Sequence, residues 1–207
     1  MGQQRLLIDG RLPGMDDAKD NLHLYLNGAR DALLWKLEGI SEYDARRPLT
    51  PTGTNLLGLV KHAAGTESGY FGDVFGRPFP ESLPWMGPEA EPNADMWATA
   101  EESKAEIIAL YGRVRAHSDA TITALPLEAE GHVPWWGPDG NPVSLHRILV
   151  HVTAETQRHA GHADIVRELI DGTAGMLPNA TNLPGEDSAW WLAHHARLEE
   201  EASRFKI

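Results

Sequence analysis

Apolar residues recur at three- and four-residue steps along most of this chain, the period of amphipathic helices. The first series is Leu22, Leu26, Ala29, Leu33 and Leu37, behind a cap at Asp16 or Asp17 and ahead of Gly39. The second begins near Thr54 and reaches about Phe75, through Leu56, Leu59, Val60, Ala63, Tyr70 and Phe71. A third spans about Ala94 to Ala124, with Trp97, Ile107, Leu110, Tyr111, Val114 and Ile122, and Pro126 stops it. Ser144 caps a fourth helix that runs to Asp171 and closes at Gly172. Asp187 or Ser188 opens a fifth, to about Phe205.

Between these lie a proline-rich loop from Gly76 to Pro92, a turn-rich loop from Pro134 to Pro142 and a loop from Thr173 to Glu186. Residues 1–15 read as an extended arm in which Arg5-Leu6-Leu7-Ile8 makes a short strand or packs, ended by Pro13-Gly14. No repeat or low-complexity tract is visible. The expectation is a single all-α domain over 1–207. Its core is a four-helix bundle over about 16–172, and the extension 173–207 packs outside it or at the contact of a homodimer.

The fourth helix carries a second pattern on its apolar side. At ~100° per residue, His151, Glu155, His159 and His162 fall within roughly an 80° arc shared or flanked by Ile148, Val152 and Val166. Imidazoles and a carboxylate aimed at a core are costly unless paired, and a divalent ion pairs with several at once. His151 and His159 are too far apart along a regular helix to share an ion, about 12 Å at ~1.5 Å per residue. The pairs His151/Glu155, Glu155/His159 and His159/His162 remain open, and each needs a donor from another helix. His62, flanked by Leu59, Ala63 and Tyr70, is the best such donor. Taken alone, it reads as a hydrogen-bonded core residue.

Composition narrows the chemistry. The 207 residues carry a formal net charge of -12, with a pI near 5.2. That disfavours a general nucleic-acid or anionic-membrane binder. There is no cysteine, so a metal must be held by His, Asp or Glu, and any reacting thiol comes from a small molecule. The His-Glu-x-x-His pattern of helical zinc proteases is missing. Nothing resembles a signal peptide or a membrane span, so a cytoplasmic setting is expected.

Two segments resemble a known family. Ser144-Leu145-His146-Arg147-Ile148-Leu149-Val150-His151 through Glu155, His159, His162 and Asp164 is similar to the fourth-helix motif of the DinB-like superfamily. Gly53-Thr54-Asn55-Leu56-Leu57-Gly58-Leu59-Val60-Lys61-His62 is similar to its second-helix motif. Members are metal-binding four-helix bundles, many with three histidines. Here Glu155 stands at one histidine position, as in the His/Glu/His site of mycothiol-dependent maleylpyruvate isomerases. The resemblance implies His62, Glu155 and His159 as ligands to zinc or nickel. It also implies a low-molecular-weight thiol such as mycothiol as co-substrate. His151 and His162 then become candidates for hydrogen-bonding partners of the ligands or substrate contacts.

Three functions fit this reading: a thiol S-transferase or isomerase, a hydrolase using bound hydroxide, and a non-enzymatic metal-holding stress protein. All imply small-molecule partners or a protein contact, not nucleic acid or membrane. Among the remaining residues, Glu67 is expected to be solvated in preference to buried. Trp135 and Trp136 either line a pocket mouth or pack down as plugs. His194-His195 and the acidic run Leu198-Glu199-Glu200-Glu201 read as surface.

Overall fold

The computed structural model describes residues 17–178 and 180–206, so the N-terminal arm lies outside the described residues. Six α-helices are present among them: α1 (Ala18–Trp35), α2 (Glu42–Arg46), α3 (Leu56–Glu67), α4 (Lys104–Ala124), α5 (Leu145–Asp171) and α6 (Ser188–Ser203). α1 packs mainly on α5, α3 packs on α4 and α5, and these four form the all-α bundle. Short polar side chains cap the starts. Asp17 accepts from the Lys19 backbone N–H, Asn55 from Gly58, Ser144 from Arg147 and Asp187 from Trp190.

Two predicted helices differ in detail. The third does not start at Ala94. Residues Ala94–Met96 make one 3-10 turn, Trp97 is extended, and the helix starts at Lys104. A capping box fixes that start: Ser103 accepts from the Glu106 N–H, and the Glu106 carboxylate accepts from the Ser103 N–H. The second predicted helix changes pitch. α3 gives way to a π turn over Ser68–Gly72, then a 3-10 turn over Asp73–Phe75. Gly69 and Gly72, poor helix formers, lie in that wider turn. A two-stranded antiparallel pair, β1 (Glu130–Gly131) and β2 (Val143–Ser144), closes the base of the Pro134–Pro142 loop and was not foreseen.

The loop between α3 and α4 is held close to α3. Asn55 donates to the Met96 carbonyl, and Lys61 donates to Trp97 O and Glu102 while lying 4.4 Å from the centre of the Trp85 ring. Gly58 makes the approach feasible, because a Cβ there would lie 1.8 Å from the Met96 oxygen. This contact brings the Ala94–Met96 turn over the middle of α3.

The bundle interior is apolar, with Leu26, Leu33, Leu59, Val60, Phe71, Val114, Ile122, Ile148, Leu149 and Val152 all buried. Charged side chains are buried as well, among them Arg30, Lys36, Lys61, Arg167 and Glu67, and the last corrects the expectation for that residue. That residue is 0% exposed. Its carboxylate accepts from Arg30 Nε at 2.9 Å and Nη2 at 2.5 Å, and from the Tyr111 hydroxyl at 2.7 Å. Glu67 ends up inside because it sits on the face of α3 turned to α1 and α4, where a buried guanidinium can pair with it. Arg30 also donates to Asp119 at 2.7 Å and to Asn27. The helices α1, α3 and α4 are tied by these bonds.

Helix α6 contributes no buried residue, and Leu192, Leu198 and Phe205 are exposed along it and just beyond. It lies outside the core, as the pattern implied. Among the described residues no helix is long and apolar enough to cross a membrane.

Removing one partner of a buried ion pair strands the other. Glu67→Leu is expected to cost about 3–5 kcal/mol, read by chemical denaturation. A loss under about 1 kcal/mol would show that Arg30 finds another partner. Asp119 supplies a pH signature. Burial works to raise its pKa, but hydrogen bonds from His23 and Arg30 and the Arg30 charge outweigh it, leaving the pKa lowered to about 2. Its contribution to stability is therefore whole above the ordinary value of 3.8 and lost as pH falls through about 2. Asp119→Asn should flatten this acid limb of the stability curve, and an unchanged limb would contradict the assignment.

Candidate metal centre

His62, near the middle of α3, and Glu155 and His159, one turn apart on α5, meet in the seam between those helices. One ligand-capable atom from each lies within 4.8 Å of the others. Glu155 Oε1 is the meeting point, 3.0 Å from His62 Nε2 and 2.7 Å from His159 Nε2. The two imidazole rings meet edge-on, with centroids 4.8 Å apart. The other Glu155 oxygen, Oε2, is buried and has no hydrogen-bond partner. A carboxylate left half-unpaired between two converging imidazole nitrogens fits a cation. The donor set is also apt: two imidazoles and one carboxylate are ordinary zinc or nickel ligands.

Each histidine is oriented from behind. His62 Nδ1 lies 2.6 Å from Asp95 Oδ2, so its Nδ1–H is donated to a carboxylate and Nε2 points into the seam. Asp95 sits in the 3-10 turn that Gly58 admits onto α3. Sequence reasoning missed it, because the residue is 33 positions from His62 and falls in a stretch that reads as helix. His159 Nδ1 lies 3.4 Å from His162 Nδ1, which places His162 behind a ring of the trio. The Thr66 hydroxyl is 3.3 Å from His62 Nε2.

The charges are coupled. Burial works to raise the Glu155 pKa, but hydrogen bonds from His159 and His62 prevail and hold it at about 2. Burial works to lower that of His62, but Glu155 and Asp95 together raise it. His162 is lowered, by burial first and then by the neighbouring His159 and Arg158 charges.

His151 is placed differently. It does not join the trio but reaches across the seam to Tyr70 in the π turn, with Nε2 3.1 Å from the hydroxyl. Since His62 faces Glu155 and Tyr70 faces His151, α3 and α5 run antiparallel. The Tyr70 oxygen also accepts from Trp135 Nε1 at 3.1 Å and Trp136 Nε1 at 3.2 Å. Indole nitrogens only donate, so the tyrosine proton goes to His151 Nε2 and the imidazole proton is on Nδ1. His194, on α6, stacks on Trp190, away from the seam.

The family model described as mycothiol S-transferase matches residues 21–172, most of the chain and nearly all of the bundle. The chain belongs to that family. It is a DinB-like group, and its match spans both helices that build the seam. No curated protein matches the chain.

The Tyr70 hydrogen bonds carry a prediction. Burial, and then the Arg147 charge, push the His151 pKa down against the opposing pull of Glu155. Nitrogen-15 NMR of histidine side chains should show His151 as the neutral Nδ1–H tautomer with a midpoint below 6.5. An Nε2–H tautomer would reverse the hydrogen-bond assignment.

Proposed function

We propose that this protein is a metal-dependent enzyme that transfers a low-molecular-weight thiol of the mycothiol type, or uses one to isomerise a substrate. In this reading His62, Glu155 and His159 hold one divalent ion, zinc or nickel. The observation that carries the proposal is the Glu155 carboxylate between two imidazole nitrogens, with its Oε2 buried and unpaired, in a chain of the mycothiol S-transferase family. Bound there, the ion supplies Lewis acidity that favours the thiolate form of a thiol near neutral pH.

The chain's own residues do the rest. Asp95 accepts the hydrogen bond from His62 Nδ1–H and so keeps the other ring nitrogen available. Glu155 brings the one negative charge of the trio, so a 2+ ion keeps about one formal positive charge with which to attract a thiolate. His162 steadies His159. The chain has no cysteine, so the nucleophilic sulfur belongs to the co-substrate. A cytoplasmic setting, where such thiols are kept reduced, belongs to the same proposal.

Metal analysis should find one ion per wild-type chain. His62→Ala and His159→Ala should fall well below that, and His151→Ala should keep it. Asp95→Ala should weaken metal affinity by ~10–100-fold, the usual effect of losing a partner behind a ligand. Conjugation of mycothiol, bacillithiol or glutathione to a haloarene should require both thiol and metal, and Glu155→Gln should slow it. Full metal in the His62 and His159 variants would rule out the ligand set. Metal-dependent ester hydrolysis with no thiol reaction would replace transferase by hydrolase.

A further inference from the structure

The seam between α3 and α5 does not end at the three ligands. One turn beyond Glu155 it reaches His151 and Tyr70, and Trp135 lies over this second stretch. The Trp135 indole N–H is tied to the Tyr70 hydroxyl, and the two rings meet edge-on with centroids 5.2 Å apart. The ring passes so near Gly69 that a Cβ there would come within 3.2 Å of it. Yet Trp135 is 55% exposed. A tryptophan acting as a plug buries its ring. Here the polar edge is fixed and much of the ring stays open.

The supports are rigid. Tyr70 is 8% exposed, and its hydroxyl is saturated by two indole donors and one imidazole acceptor. It has nothing left to offer a substrate and acts by holding the rings around it. The loop is pinned from within as well: Asn141 accepts from Val133 N and donates to Val133 O and Trp136 O. A ring held so firmly pays little ordering entropy when something stacks on it.

Charge then selects the ligand. Arg147, the cation in contact with this aromatic group, lies against the Trp136 ring, 4.9 Å from its centre, and gives one N–H to the Gly140 carbonyl. Among the described residues no cation lies over the Trp135 ring, so a dicarboxylate would meet only an indole face there. A flat uncharged ring would meet a stacking surface.

We propose that the open face of Trp135 is the subsite for the planar, conjugated part of the electrophile, with Tyr70 and His151 as positioning residues. This rests on the thiol-transfer reading for the word electrophile, but the binding can be tested without any turnover.

The probe is meta-dinitrobenzene, which has an electron-poor ring and no leaving group. Its binding to metal-loaded full-length protein is measured by equilibrium dialysis in the absence of thiol. Wild type should bind saturably, and Trp135→Ala should bind about tenfold more weakly, the upper range for one aromatic contact. Trp135→Phe should recover most of the affinity, since it keeps an aromatic face. Tyr70→Phe should bind several-fold more weakly with unchanged metal content and circular dichroism, and maleate should not compete. Trp97→Phe, at an exposed tryptophan elsewhere, should match wild type. Wild-type affinity in Trp135→Ala would overturn the subsite. So would a Phe variant as weak as the Ala variant, or full competition by maleate. Saturable binding with no thiol conjugation would leave the subsite standing and remove the transferase reading.

Discussion

A polar side chain inside a helical bundle has to find a polar partner among the side chains that share its seam, and this constraint shapes the whole molecule. Backbone groups are satisfied within each helix, so buried polar side chains must be matched by other side chains, here both across the seams and one turn along the same helix. Glu67 is matched by Arg30 and Tyr111, which fixes α1, α3 and α4 against one another. Glu155 is matched only in part. His62 and His159 both reach one of its oxygens, and the other is left buried and bare. The first network is closed and structural. The second is open, and its opening is where chemistry can enter.

The same seam explains why two groups of different character lie side by side. Antiparallel packing of α3 and α5 sets His62 opposite Glu155 and His159, then Tyr70 opposite His151. The π turn at Ser68–Gly72 is the irregularity that accompanies the second group, and π turns often mark functional sites. The Pro134–Pro142 loop completes it by placing two indoles on one phenol oxygen. An ion-compatible trio of side chains and a rigid aromatic surface thus adjoin along a few turns of helix.

Much of this was legible in the sequence. The 3.6-residue periodicity and the caps at Asp16 or Asp17, Ser144, and Asp187 or Ser188 marked the bundle helices and α6, and the structure uses Asp17, Ser144 and Asp187. The spacing of Glu155 and His159 put them on one face, the apolar neighbours of His62 made it the best outside donor, and the resemblance implied the three together. What stayed hidden depends on tertiary contact. Asp95 is brought to His62 by a close approach at Gly58 that no local pattern announces. Glu67 looked solvated because its partners, Arg30 and Tyr111, lie 37 and 44 residues away. The start of α4 was misplaced because apolar Trp97 continued the helical rhythm, whereas the Ser103–Glu106 capping box set the boundary.

The central claim is that two imidazoles and one carboxylate hold an ion that a small-molecule thiol can reach. X-ray absorption at the zinc edge tests it most directly, on zinc-loaded protein with and without added thiol. The account predicts scattering from two imidazoles and a carboxylate, and a sulfur neighbour at about 2.3 Å once thiol is added. A spectrum without imidazole scattering, or one that thiol leaves unchanged, would contradict it.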